Sequence, residues 1–83
     1  MKLSEKKQLA AELLEITLDE LEENSAHLDD IGALYVSVPT KDGCSILIAD
    51  DGSVLFGNSA ISFTQLIAEF NRGKRTPKSF FKN

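Results

Sequence analysis

Three short apolar segments in the middle of the chain constrain the fold more than any other feature of the sequence. In residues 34–38, leucine and valine alternate with tyrosine and serine, which is the period of a half-buried strand. Residues 44–49 are mostly apolar, and residues 54–56 form a third apolar run. Residues 39–43 and the Asp51-Gly52 pair mark turns between these runs. We therefore predict a three-stranded antiparallel β-meander.

One helical segment precedes these strands and another follows them. Leucine and isoleucine recur at helical spacing through the first 24 residues and give a wide apolar face. A capping box that begins at Thr17 can divide this helix, so its continuity is left open. A second capping box begins at Ser62, and Gly73 ends the helix that follows. We expect one small α+β domain over residues 1–83, with residues 74–83 as a basic tail and the helices on one sheet face.

The composition favours a cytoplasmic protein. The chain has 83 residues and a single cysteine, whereas small secreted domains usually rely on several disulfides. No apolar run approaches the roughly 18 residues that a bilayer span needs. The charged first residues do not resemble a signal peptide. We therefore expect no association with a membrane.

No group of residues indicates catalysis, a metal or a cofactor. His27 is the only histidine, and its place in a connection predicts an exposed or capping side chain. Cys44 begins a predicted strand and is most simply a small core residue. A Cys44–His27 dyad lacks the third, orienting group of such sites. Residues 50–52 lack the alternating acids of a calcium loop, and one histidine with one cysteine cannot make a structural zinc site. We predict that the protein is not an enzyme.

Acidic residues dominate the first third of the chain. Residues 1–31 contain nine acids and three lysines. On a continuous helix most of these acids lie opposite the leucine face. Three interpretations stay open: a solvated face, a docking surface for a basic protein partner, or a surface that the basic tail covers. The candidate partner-binding residues are Glu12, Glu15, Asp19, Glu22, Glu23, Asp29 and Asp30.

The end of the chain has the opposite charge. Residues 70–83 contain five bases and no acid. Bases with neighbouring aromatic rings are typical of single-strand nucleic-acid binding. However, the nine net negative charges of residues 1–69 disfavour a nucleic-acid partner. The phenylalanines can instead pack on the sheet, on a partner or in a homodimer interface. The alternative contact residues are Arg72, Lys74, Arg75, Phe80 and Phe81.

Residues 50–56 (DDGSVLF) and 60–70 (AISFTQLIAEF) resemble the closing strand, turn and helix of SUKH-type immunity proteins. These bacterial proteins bind and neutralise toxins, many of which are nucleases with basic surfaces. The resemblance covers about a quarter of the chain and implies an immunity protein or inhibitor that binds a basic toxin domain directly. No binding residue carries over from it. The alternatives are a regulatory or nucleic-acid-associated protein that acts through the tail, and a homo-oligomeric structural subunit.

Overall fold

The computed structural model describes residues 1–39 and 43–81, and these ranges contain four strands and three α-helices. Residues 40–42 of the first predicted turn and the tail base Lys82 lie outside the described residues. In chain order the elements are α1 (Leu3–Leu14), α2 (Leu18–Glu23), β1 (Ser25–Leu28), β2 (Ala33–Val38), β3 (Cys44–Ile48), β4 (Val54–Gly57), α3 (Phe63–Asn71) and a short 3-10 helix (Lys78–Phe81). None of the helices in the described ranges is both long and apolar enough to cross a bilayer.

The strands form one antiparallel sheet in the order β1-β2-β3-β4. The predicted meander is confirmed for β2, β3 and β4, but the predicted number of three strands is wrong. The additional strand, β1, pairs with β2 so that Ala26 lies opposite Tyr35 and Leu28 lies opposite Ala33. β1 has four residues and only one large apolar side chain, Leu28. Its sequence is therefore too short to show the alternation that indicates a strand.

Helices cover both faces of this sheet, whereas the sequence predicts them on one. One buried cluster joins α1 and α2 to the sheet through Ala10, Leu14, Leu21, Leu34, Val36, Val38, Ile46, Ile48 and Val54. A second cluster joins α3 to the opposite face through Ala33, Leu47, Ala49, Leu55, Leu66 and Phe70. Side chains are buried on both sides of β3, so that strand needs a cover on each face.

A threonine and a serine cap the starts of α2 and α3, as the sequence predicts, whereas α1 begins after Lys2 and not at Ser4, the cap that the sequence also suggests. The Thr17 hydroxyl accepts a hydrogen bond from the Glu20 N–H at 3.1 Å, and the chain is divided into α1 and α2 at this point. The Ser62 hydroxyl likewise accepts from the Gln65 N–H at 3.1 Å and begins α3. α3 packs closely against β4 at Gly57, where an added Cβ would lie 2.9 Å from the Leu66 side chain.

Candidate protein-binding surface

The acidic region is built around the break between α1 and α2. α1 ends at Glu15, whose φ of 56° and ψ of 47° place it in the left-handed region. The Ile16 N–H donates to the Ala11 carbonyl at 3.1 Å, which is the bond of a Schellman motif. Ile16 also packs against the core beneath α1. The chain therefore turns sharply at Glu15 before Thr17 begins α2.

Every acid of the predicted set is exposed, but the set does not form one helical stripe. Glu12 and Glu15 lie at the end of α1, Asp19, Glu22 and Glu23 on α2, and Asp29 and Asp30 after β1. The expected spacing of four residues along one helix does not apply across the break at Glu15. The Glu22 carboxylate forms an ion pair of 2.8 Å with Lys7, so α1 and α2 are joined at their surface.

Several of these acids lie where a helix disfavours negative charge. Glu12 and Glu15 lie at the C-terminal end of α1, and Glu22 and Glu23 lie in the last turn of α2. Neither helix has a basic residue in its last turn. Because the helix dipole is negative at that end, each acid there costs about 0.3–1 kcal/mol at low salt.

Two bases of the tail, Lys74 and Arg75, make contacts with α3 and the β3–β4 turn. Lys74 forms an ion pair of 2.8 Å with Glu69 of α3. Arg75 donates to the Ser53 hydroxyl at 2.8 Å and to the Phe70 carbonyl at 3.0 Å, and its guanidinium lies 3.8 Å from the centre of the Phe70 ring. These contacts hold Lys74 and Arg75 at α3 and the β3–β4 turn, whereas the 3-10 helix at the end of the tail lies against α1. Arg72 is exposed.

The tail then continues along the outer edge of β4. The Thr76 N–H donates to the Val54 carbonyl at 2.7 Å, and the Phe56 N–H donates to the Thr76 hydroxyl at 2.9 Å. Phe81 packs against the core beside Phe56. Phe80 stacks on the Phe56 ring at 4.8 Å but stays 57% exposed. This edge of the sheet is therefore occupied by the protein's own tail.

Lys6 is a buried charged residue that the charge pattern of the sequence does not reveal. It is 1% exposed and belongs to the buried face of α1. Its spacing could have indicated this position, because Lys6, Ala10 and Leu14 recur every four residues. A lysine was expected on the solvent side because unpaired ammonium groups are rarely buried.

Three acceptors surround the ammonium of Lys6 and compensate for its burial. They are Asp50 Oδ1 at 2.5 Å, the Gly32 carbonyl at 3.0 Å and His27 Nε2 at 3.1 Å. Because an ammonium only donates, His27 Nε2 accepts, and the ring hydrogen lies on Nδ1, 2.6 Å from Asp29 Oδ1. The hydrogen bond from Lys6 and its charge hold the pKa of Asp50 below the ordinary value.

The cluster around Lys6 explains why residue 32 is a glycine and why His27 is half-buried. Gly32 has a φ of 63°, and a Cβ there would lie 2.8 Å from the Asp50 carboxylate. His27 is half-buried and bonded to Lys6, whereas the sequence predicts an exposed or capping residue. His27 lies opposite Leu34 and Cys44 lies opposite Val38. Their Cα atoms are thus offset by about 13 Å along the strand direction and lie on strands separated by β2, so the side chains do not form a dyad.

An open apolar groove lies beside β1 on the face that α3 covers. Its volume is about 200 Å³, and its lining residues are Leu28, Asp30, Ile31, Phe63 and Ile67. Phe63 is 48% exposed, and its ring meets the Tyr35 ring edge-on at a centroid distance of 4.9 Å. The groove is therefore an aromatic and aliphatic surface with one carboxylate at its margin.

Comparison with known proteins gives no family and no relative: no family model, curated protein or solved structure matches this chain significantly. In the part of the chain that the structure describes, no three histidine, cysteine, aspartate or glutamate side chains are grouped as a metal ion would require.

Proposed function

We propose that this protein is a small acidic protein-binding module, and that it is an immunity protein or inhibitor that neutralises a bacterial toxin by binding a basic surface. The observation that carries the proposal is the exposed acids at the C-terminal ends of α1 and α2, which we call the acidic end surface (Glu12, Glu15, Glu22 and Glu23). All four oppose the helix dipole, which costs stability, and the ion pair with Lys7 offsets this cost at Glu22.

Residues that break a local stability rule without a compensating contact are expected at functional sites. Glu15 breaks two such rules, because it is a non-glycine residue in the left-handed region and an acid at a helix C-terminus. Acids at the helix N-termini would make the protein equally soluble without opposing the helix dipole. A basic partner would benefit from acids gathered at this turn, because complementary charge speeds encounter and sets specificity. Asp29 and Asp30 extend the negative charge toward β1.

The alternative that acts through the basic tail has less support. The Arg75 guanidinium donates hydrogen bonds to Ser53 and to the Phe70 carbonyl, and Lys74 forms an ion pair with Glu69. Phe81 packs against the core instead of standing free for a nucleobase. Lys74, Arg75 and Phe81 thus have partners within the chain.

The test uses two triple variants of the tagged protein. In the acid variant, Glu12→Gln, Glu15→Gln and Glu23→Gln remove charges from the acidic end surface. In the control variant, Arg72→Gln, Lys74→Gln and Lys78→Gln remove the same number from the tail. A partner is captured from the native host with the wild-type protein, identified, purified and titrated against all three proteins by calorimetry.

We expect a basic partner whose affinity falls about tenfold or more, or about 1.4 kcal/mol, in the acid variant and changes little in the control. The acid variant should remain folded, because its three substitutions relieve unfavourable dipole interactions. An acid variant that binds as tightly as wild type would refute the proposal. So would a partner that is lost only in the tail variant.

A further inference from the structure

The two edges of the sheet differ in what occupies them. The β4 edge is taken by Thr76, which bonds to Val54 and Phe56. At the β1 edge the Asn24 carbonyl accepts from the Ser37 N–H, which fixes the alternation of the ladder. The backbone N–H and C=O groups of Ser25 and His27 therefore point away from β2. In the described residues, nothing pairs with β1 on that outer side.

The apolar groove lies directly beside this open edge. Ala26 and Leu28 of β1 project toward the α3 face, next to Tyr35 and Ala33. Ala26 is exposed, and Leu28 lines the groove together with Phe63 of α3. A strand added at β1 would place alternate side chains above this groove, since residues two apart lie on the same face.

The charges around β1 distinguish between possible occupants. Glu22 and Glu23 precede the strand, and Asp29 and Asp30 follow it. If two copies of β1 paired antiparallel, the acids before one strand would meet the acids after the other. Like charges directly opposite each other destabilise a strand pair, so the sequence disfavours self-pairing. A strand with lysine or arginine at its ends has complementary charge at both positions.

We propose that the β1 edge is the docking site for an extended segment of a protein partner, which adds to the sheet as a fifth strand. Its backbone bonds to the outward groups of Ser25 and His27, its apolar side chains enter the groove, and its basic ends meet Glu23 and Asp30. This is recognition by β-strand addition, in which main-chain bonds give affinity and alternate side chains give specificity. The inference rests on the proposed function, because it states how the basic partner binds.

The probe is an eight-residue peptide with two lysines at each end and four alternating threonine and valine residues between them. It is titrated into the isotopically labelled full chain. NMR amide exchange is the decisive measurement. In the free protein, the amides of Ser25 and His27 should exchange fast, and those of Ala26 and Leu28 should exchange slowly. At saturating peptide, Ser25 and His27 should become protected, and the resonances of Phe63 and Ile67 should shift.

Two matched controls separate strand addition from simple charge attraction. A peptide of the same sequence with N-methyl groups on alternate amides keeps its charge but cannot complete the ladder, and it should not protect Ser25 or His27. Ala26→Lys should weaken binding of the unmodified peptide several-fold, and Ala26→Glu should preserve or strengthen it. Equal binding of both peptides would overturn the inference, as would equal affinities of the two Ala26 variants.

Other outcomes show which of the two proposals fails. Peptide-induced shifts confined to Glu12, Glu15 and Glu23 would overturn strand addition and leave the acidic partner surface in place. Without peptide, the amide protection of Ser25 and His27 could rise with protein concentration. That result would assign the β1 edge to a second copy of the chain and would also overturn strand addition by a partner. Strand addition at β1 by a captured partner whose affinity is unchanged by Glu12→Gln with Glu15→Gln, two substitutions that leave Glu23 in place, would instead overturn the proposed function.

Discussion

The ammonium of Lys6 is shared by residues that are distant in the chain. His27 belongs to β1, Gly32 to the β1–β2 connection, and Asp50 to the turn after β3. Lys6 thus holds α1 onto the end of the sheet through three hydrogen bonds at one point. Asp50 is well exposed, with 70% of its side-chain surface accessible, so water can replace Lys6 at that partner. His27 and the Gly32 carbonyl are half-buried and have less access to water.

Lys6→Met should therefore destabilise the protein although it removes a buried charge. The methionine keeps much of the packing, but the acceptors on His27 and Gly32 lose their donor. We expect the free energy of unfolding to fall by about 1–3 kcal/mol in chemical denaturation. Lys7→Met is the matched control: its exposed pair with Glu22 predicts a change within about 0.5 kcal/mol. Equal effects of the two substitutions would contradict the role assigned to Lys6.

At the scale of the elements, Glu15 separates two short helices, although the apolar pattern of the sequence is also compatible with one continuous helix. The capping box at Thr17 predicted the second start, and the structure adds the stop at Glu15. Glycine is the residue favoured at such a left-handed helix end. The stop was not predictable, because a glutamate in the left-handed region has no sequence signature.

Glu15→Gly should stabilise the protein and weaken its partner binding. The glycine relieves the cost of a positive φ and removes an acid from a helix C-terminus, so the free energy of unfolding should rise by about 0.5–1.5 kcal/mol. Glu12→Gly removes an acid from the same helix end, but inside α1 the glycine costs up to about 1 kcal/mol of helix propensity, so the free energy of unfolding should not rise. Denaturation of both variants tests this difference. A destabilising Glu15→Gly would show that the glutamate is there for stability.

At the scale of the whole molecule, the sequence predicts the pieces better than their arrangement. Local chemistry at Thr17, Ser62 and the Asp51-Gly52 turn determines where helices start and strands reverse, so those positions could be predicted. The position of α3 opposite α1 depends on which residues of β2 and β3 are buried on each face, and this is a tertiary property. The acids could be identified from sequence, but the open β1 edge and the groove depend on a strand too short to show a pattern.

The arrangement of charge gives a prediction for the whole chain. Glu22 of α2 is paired with Lys7, while Lys74 and Arg75 of the tail are paired with Glu69 and Ser53. If the tail covered the acids, added salt would weaken that attraction and lower stability. With Lys74 and Arg75 held at Glu69 and Ser53, salt chiefly screens repulsion among the acids. Raising sodium chloride from low to moderate concentration should therefore increase the free energy of unfolding by a few tenths of a kcal/mol.

The triple variant with Glu12→Gln, Glu15→Gln and Glu23→Gln is the control for this salt response. Its acidic end surface has lost most of the mutual repulsion, so its stability should change less with salt than that of the wild type. Urea denaturation is the suitable measurement, because urea is uncharged and leaves the ionic strength under control. A wild-type stability that falls as salt is added would mean that attraction dominates, and that the tail covers the acids in solution. The surface proposed for the partner would then be occupied by the chain itself.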